Sequence, residues 1–141
     1  MMKVTKAAKH LAFAYNPRNV PTAIAQRYLR HPLNPIYPKI MHMYAIRDRN
    51  TLWWQVTVVD ALSHKKVVRS RSMRQTRAAF REALRERGFD ADGRRIVSDS
   101  CTEEGLRGSL LILILQPGLR ADFEAIKKDV DKLLEFLLRN T

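Results

Sequence analysis

The sequence predicts an α+β domain on a largely antiparallel sheet: a three-strand meander followed by a helix, a buried apolar strand and a C-terminal packing helix. Three observations carry this. Residues 42–71 hold short runs of aromatic and β-branched side chains. Residues 72–87 and 122–139 repeat apolar positions at helical spacing, and residues 110–115 are apolar throughout. At 141 residues the chain is long enough for one core of its own.

Residues 1–40 read as a basic, proline-rich arm with a short helix, and residues 41–141 as a single α+β domain. Five of the six prolines fall between Pro17 and Pro38. Thr22, after Pro21, suits the cap of a helix to Arg30. Residues 31–40 read as an extended connector, because within 31–38 each proline disfavours the helical region for its predecessor.

The expected strands are 42–47, 52–60 and 65–71, joined by the short connections of a meander. Alternation in the second places Leu52, Trp54, Val56 and Val58 on a core face and Trp53, Gln55 and Thr57 opposite. Ser72 and Gln75 fit a capping box that opens a helix to about Arg87. At about 100° per residue, Met73, Thr76, Phe80, Ala83 and Leu84 share one arc, and Arg74, Arg77, Arg81 and Arg85 an adjoining one. Residues 94–98 read as a short strand, and residues 110–115 as a strand buried on both faces. In the last helix Phe123, Ile126, Val130, Leu133 and Leu137 recur at spacings of three and four, widened by Leu134 and Leu138. The stripe serves a core helix or, alternatively, a dimer seam.

The formal net charge is +12, and it is unevenly placed. Residues 1–40 carry +7 with no acid, residues 41–89 carry +7, and residues 90–141 carry −2. A localised excess points to an anionic partner, with double-stranded nucleic acid first and DNA ahead of RNA. The candidate contacts are Arg47, Arg49, Trp53, Gln55, Thr57, Arg69 and Arg71 on the sheet face, and Arg74, Arg77, Arg81 and Arg85 on the helix. Lys3, Lys6, Lys9 and Arg18 on the arm add a second grip. Arginine and lysine neutralise phosphates, Arg and Gln reach base edges, and an indole can stack. A solvated sheet face and an ordinary helix exterior account for the same residues without a ligand.

Residues 42–87 resemble the three-strand-plus-helix arm-binding domain of phage-type tyrosine recombinases in strand order and in the Trp opening the second strand. That resemblance implies a sheet inserted into the major groove, with Arg47, Arg49, Trp53, Gln55, Thr57, Arg69 and Arg71 facing the DNA. Residues 21–87 also look like a double-stranded-RNA-binding domain: short helix, Pro–Tyr connector, three strands, helix. In that likeness Ser72, Arg74 and Arg77 stand where the family grips phosphates. The family's lysine pair is reduced to Met73-Arg74, and its glycines before the helix are missing. Neither resemblance covers residues 90–141.

No catalytic constellation stands out. His10, His31, His42 and His64 lack metal-ligand spacing, and there is no phosphate-cradling glycine loop. Asp48, Asp60, Asp90, Asp92 and Asp99 read as turn residues and caps. No cofactor and no metal is expected. The lone Cys101 gives no intramolecular disulfide, which points to a reducing compartment. No apolar run approaches the roughly 18–20 residues of a membrane span, and residues 11–15 are too short for a secretory signal. The expectation is a non-enzymatic cytoplasmic, even nucleoid-associated, protein of the phage or plasmid accessory type. A homodimer through the C-terminal helix or the sheet suits a two-fold site. The alternatives are an interaction module or inhibitor docking its basic face on an acidic protein, and a metal-free ribonuclease using His42 or His64.

Overall fold

The run Leu11-Ala-Phe-Ala-Tyr15 alternates large and small side chains, and it forms a strand at the heart of the sheet. The computed structural model describes residues 4–7, 9–94, 96 and 105–140, with backbone alone for 4–7, 61 and 140. Its strands are β1 (Val4–Ala7), β2 (Leu11–Asn16), β3 (Leu52–Val58) and β4 (Gly108–Ile114). Its α-helices are α1 (Ala23–Leu29), α2 (Tyr37–Ala45), α3 (Lys66–Glu86) and α4 (Phe123–Asn140). The sheet runs β1-β2-β4-β3. β1 and β4 are each antiparallel to β2, whereas β3 is parallel to β4, with Trp54 opposite Leu110 and Val56 opposite Ile112.

The domain is α+β, but its sheet is mixed rather than largely antiparallel. β3 and β4 are joined through α3, and parallel neighbours need such a long crossover. Helices α3 and α4 pack together over one face, burying Phe80, Ala83, Leu84, Ile126, Val130 and Leu134 against Leu11, Val56, Leu110 and Ile112. Phe13 of β2 meets Phe136 of α4 edge-on, with ring centroids 5.2 Å apart. The buried Asp129 of α4 accepts from the His10 backbone N–H at 3.2 Å and lies 2.8 Å from His10 Nδ1. That carboxylate staples the start of β2 to the helix layer.

Several expectations are corrected. Residues 42–47 are not a strand, and the connector expected as extended is not extended at its end: Tyr37–Ala45 is helical, with Pro38 in its first turn, where a missing N–H costs nothing. Residues 65–71 are not a strand either. Helix α3 starts at Lys66, in a stretch with no Gly or Pro to stop it, and Ser72 is buried within the helix, its carbonyl accepting from Thr76 Oγ1. There is therefore no three-strand meander, and the outer strands that carried both resemblances are helical. The stretch expected as a basic arm supplies β1 and β2. The strand expected at 94–98 lies largely outside the described residues; Arg94 and Ile96 are not in a strand.

Other expectations match. Thr22 caps α1, its Oγ1 accepting from Ala25 N–H at 3.3 Å. The predicted arc of α3 is the one that packs inward. β4 sits between β2 and β3, although Leu111 and Leu113 on its second face are only half-buried. The α4 stripe is mostly spent on the core: Ile126, Val130, Leu133, Leu134 and Leu137 are buried, Phe123 is half-buried and Leu138 is exposed.

Candidate nucleic-acid interface

Helix α3 is electrically two-sided. Its core arc centres on Thr76, Ala79 and Ala83. On one flank, at helical spacing, stand Arg71, Arg74, Arg77, Arg81 and Arg85, all exposed. On the other flank Glu82 and Glu86 turn toward α4, where Lys127 Nζ bonds both, with Glu82 at 3.3 Å. Those contacts, Glu86 first, hold the Lys127 ammonium above its ordinary pKa. The helix's own carboxylates are thus engaged with α4. Among the described residues none of the five arginines makes an ion pair.

The arginine flank borders the open edge of the sheet. Among the described residues β3 is the terminal strand, with β4 on one side only. The Leu52 N–H donates to the Asp92 carbonyl at 2.9 Å, and the Val59 N–H to Ile114 at 3.1 Å. Backbone groups of successive strand residues point to opposite edges. The Trp54 and Val56 N–H and C=O groups therefore face outward, where no strand among the described residues pairs with them. A shallow groove of about 280 Å³ runs along this edge, lined by Arg47, Trp54, Gln55, Arg77, Arg81 and Asp92 among others.

Two tryptophans anchor the arginines. Trp54 packs on Phe80, centroids 4.6 Å apart, donates from Nε1 to the Ala91 carbonyl at 2.8 Å, and carries the Arg81 guanidinium 5.8 Å from its ring centre. Trp53, on the opposite face, is buried rather than presented. Tyr44 of α2 covers it at 5.5 Å, and Arg47 lies 5.0 Å from its ring centre. A guanidinium over an indole is held by the ring quadrupole. The groove thus has two guanidinium groups on its α3 side and one on its α2 side.

The remaining sequence candidates divide. Gln55 and Thr57 are half-buried on β3, and Gln55 lines the groove. Arg69 is half-buried in the first turns of α3, its Nε without a hydrogen-bond partner. Arg49 is exposed in the turn before β3, its carbonyl accepting from Asn19. Arg18 is exposed beyond β2, and Lys9 in the β1–β2 connection. Lys6 lies on β1 at the far side of the sheet, and Lys3 lies outside the described residues. The expected single face of Arg47, Arg49, Trp53, Arg69 and Arg71 does not assemble, since α2 and α3 replace its outer strands. Sequence reasoning missed Trp54, placed wholly in the core, and Asp92. The signal was the tandem Trp53-Trp54, whose alternate faces cannot both share one core.

Asp48 closes the loop before β3. Its carboxylate accepts from Asn50 N–H and, at 2.8 Å, from Arg94. The Asn50 bond chiefly lowers its pKa, desolvation works against it, and the Arg94 contact adds to the lowering. Among the described residues no group of three or more His, Cys, Asp or Glu side chains could hold a metal, and no helix is long and apolar enough to cross a membrane. Comparison with family models, with curated proteins and with solved structures found no match.

Proposed function

We propose that this chain is a non-enzymatic nucleic-acid-binding protein that grips a duplex through its phosphates, DNA ahead of RNA. The observation that carries the reading is the row of five exposed arginines on one flank of α3, without ion pairs among the described residues and extended by Arg47 at the β3 edge. From Arg74 to Arg85 the row is about 16 Å long at the helical rise. Measured along the duplex axis, that is the rise of about five base-pair steps. A straight, rigid row suits a regular backbone, and the B-DNA major groove admits an α-helix where the deep, narrow groove of RNA does not. Binding rests on counterion release and reads little sequence, because the Trp54 indole beside the row is engaged within the fold. The test is a shift assay with single- and double-stranded DNA and RNA across a salt series. Retention of duplexes that collapses as salt rises supports the reading; no retention of any duplex at low salt overturns it.

A further inference from the structure

We propose that the open edge of β3 is a strand-addition site for an extended acidic segment of a partner protein. The proposal stands apart from the nucleic-acid reading, although both use Arg47, Arg77 and Arg81. Three observations meet at this edge. Trp54 and Val56 turn their N–H and C=O groups outward, and among the described residues the sheet offers them no neighbour. Such a row is a template for a further strand, and natural edges are blunted by charge, proline or cover. Here β3 has neither proline nor charge between Leu52 and Val58. Among the described residues its backbone cover is at the Leu52 end, where the Asp92 carbonyl takes the first outward N–H.

The flanking charge selects the occupant. Side chains of an added strand would alternate between the Trp54 face, where Arg77 and Arg81 stand, and the Trp53 face, where Arg47 stands. Consecutive glutamates or aspartates on that strand would therefore meet a guanidinium on both faces, with a charge-assisted hydrogen bond available at each. A second copy of this chain is disfavoured as occupant. Edge-to-edge pairing would crowd Arg47, Arg77 and Arg81 of each copy against the same three of the other, with a single Asp92 apiece in the groove to offset them. A phosphodiester backbone would satisfy the arginines but offers no N–H for the outward carbonyls. A peptide supplies both.

The experiment uses the full chain and a fluorescein-labelled peptide of threonine and valine with consecutive central glutamates. It is compared with the same peptide N-methylated at alternate central residues, a lysine-for-glutamate version, and a single-stranded oligonucleotide. Fluorescence anisotropy should show the parent binding and the N-methyl peptide weakened by about thirtyfold, the value of two ordinary hydrogen bonds. The lysine version should not bind. Backbone amide shifts in heteronuclear NMR should be largest at Trp54 and Val56. Arg47→Ala and Arg81→Ala should each weaken the parent peptide severalfold without altering the thermal midpoint by more than a few degrees. Equal binding of the N-methyl peptide would mean charge attraction alone and would overturn the proposal. So would shifts at Trp54 and Val56 produced by the oligonucleotide and not by the peptide. Neither result bears on duplex retention, which is read separately.

Discussion

Reversing two central charges of the row, Arg77→Glu with Arg81→Glu, gives the proposed function a quantitative test. Five arginines on α3 and Arg47 beside them make six cations on this surface. If each neutralises one phosphate, log K should fall against log salt with a slope of about −5.4, so that a fourfold rise in salt costs about 10³ in affinity. Losing two contacts lowers the slope to about −3.6, and the same rise then costs only about 10². Affinity at low salt should fall further still, because two carboxylates now repel the backbone. The fold should tolerate the change. Both side chains are exposed and make no ion pair among the described residues, and the one attachment lost is the Arg81 contact with Trp54, about 0.5–1 kcal/mol at an exposed site. Fluorescence anisotropy with a labelled duplex gives slope and affinity, and circular dichroism melting gives stability. A variant that melts like the parent and keeps both its affinity and its slope would refute the assignment of the row.

Three further outcomes follow from the same framework. Phe80→Ala removes a fully buried ring from beneath Trp54 and should cost about 3–5 kcal/mol in denaturant unfolding. Gly108→Ala should destabilise by about 2 kcal/mol, since Gly108 has φ +102° and an added Cβ would press on the Asn16 carbonyl. The lowered pKa of Asp48 means its carboxylate favours the folded state above its unfolded pKa, and that contribution disappears as pH falls through the folded pKa. Asp48→Asn should therefore flatten the acid limb of a stability–pH profile and leave the basic limb alone.

What was legible from the sequence divides by the range of the interactions involved. The inward arc of α3, the α4 stripe and the Thr22 cap are set by residues three or four apart, so periodicity alone reveals them. The sheet was misread because pairing is non-local. Nothing in residues 11–16 states that they lie between β1 and β4, although the Leu11-Ala-Phe-Ala-Tyr15 alternation shows a strand there. Residues 42–47 and 65–71 carry enough β-branched and aromatic side chains to suggest strands. Both are short runs beside helix-compatible stretches, Pro38 opening one and Lys65-Lys66 the other, and tertiary context decides such cases. The arginine stripe of the site was readable. Its neighbour was not, because the open edge of β3 follows from the crossover that makes β3 and β4 parallel.

The core and the candidate site are consecutive residues of one helix, which makes them mechanically inseparable. Phe80 points into the core and supports Trp54; Arg81, one step around α3, rests over the outer part of the same indole. The Trp54 Nε1 bond to Ala91 ties that indole to the loop whose Asp92 closes the Leu52 end of the edge. On the far flank, Lys127 draws Glu82 and Glu86 toward α4 and away from the arginines. Without that lysine the two glutamates would lie within a helical turn of Arg85 and Arg81 and could fold back on them, screening the row. The positive face of α3 therefore depends on α4, an element that contributes no arginine to the row and lies in the only net-acidic third of the chain. The charge asymmetry along the sequence reflects this division: one part presents cations, and another keeps nearby anions occupied.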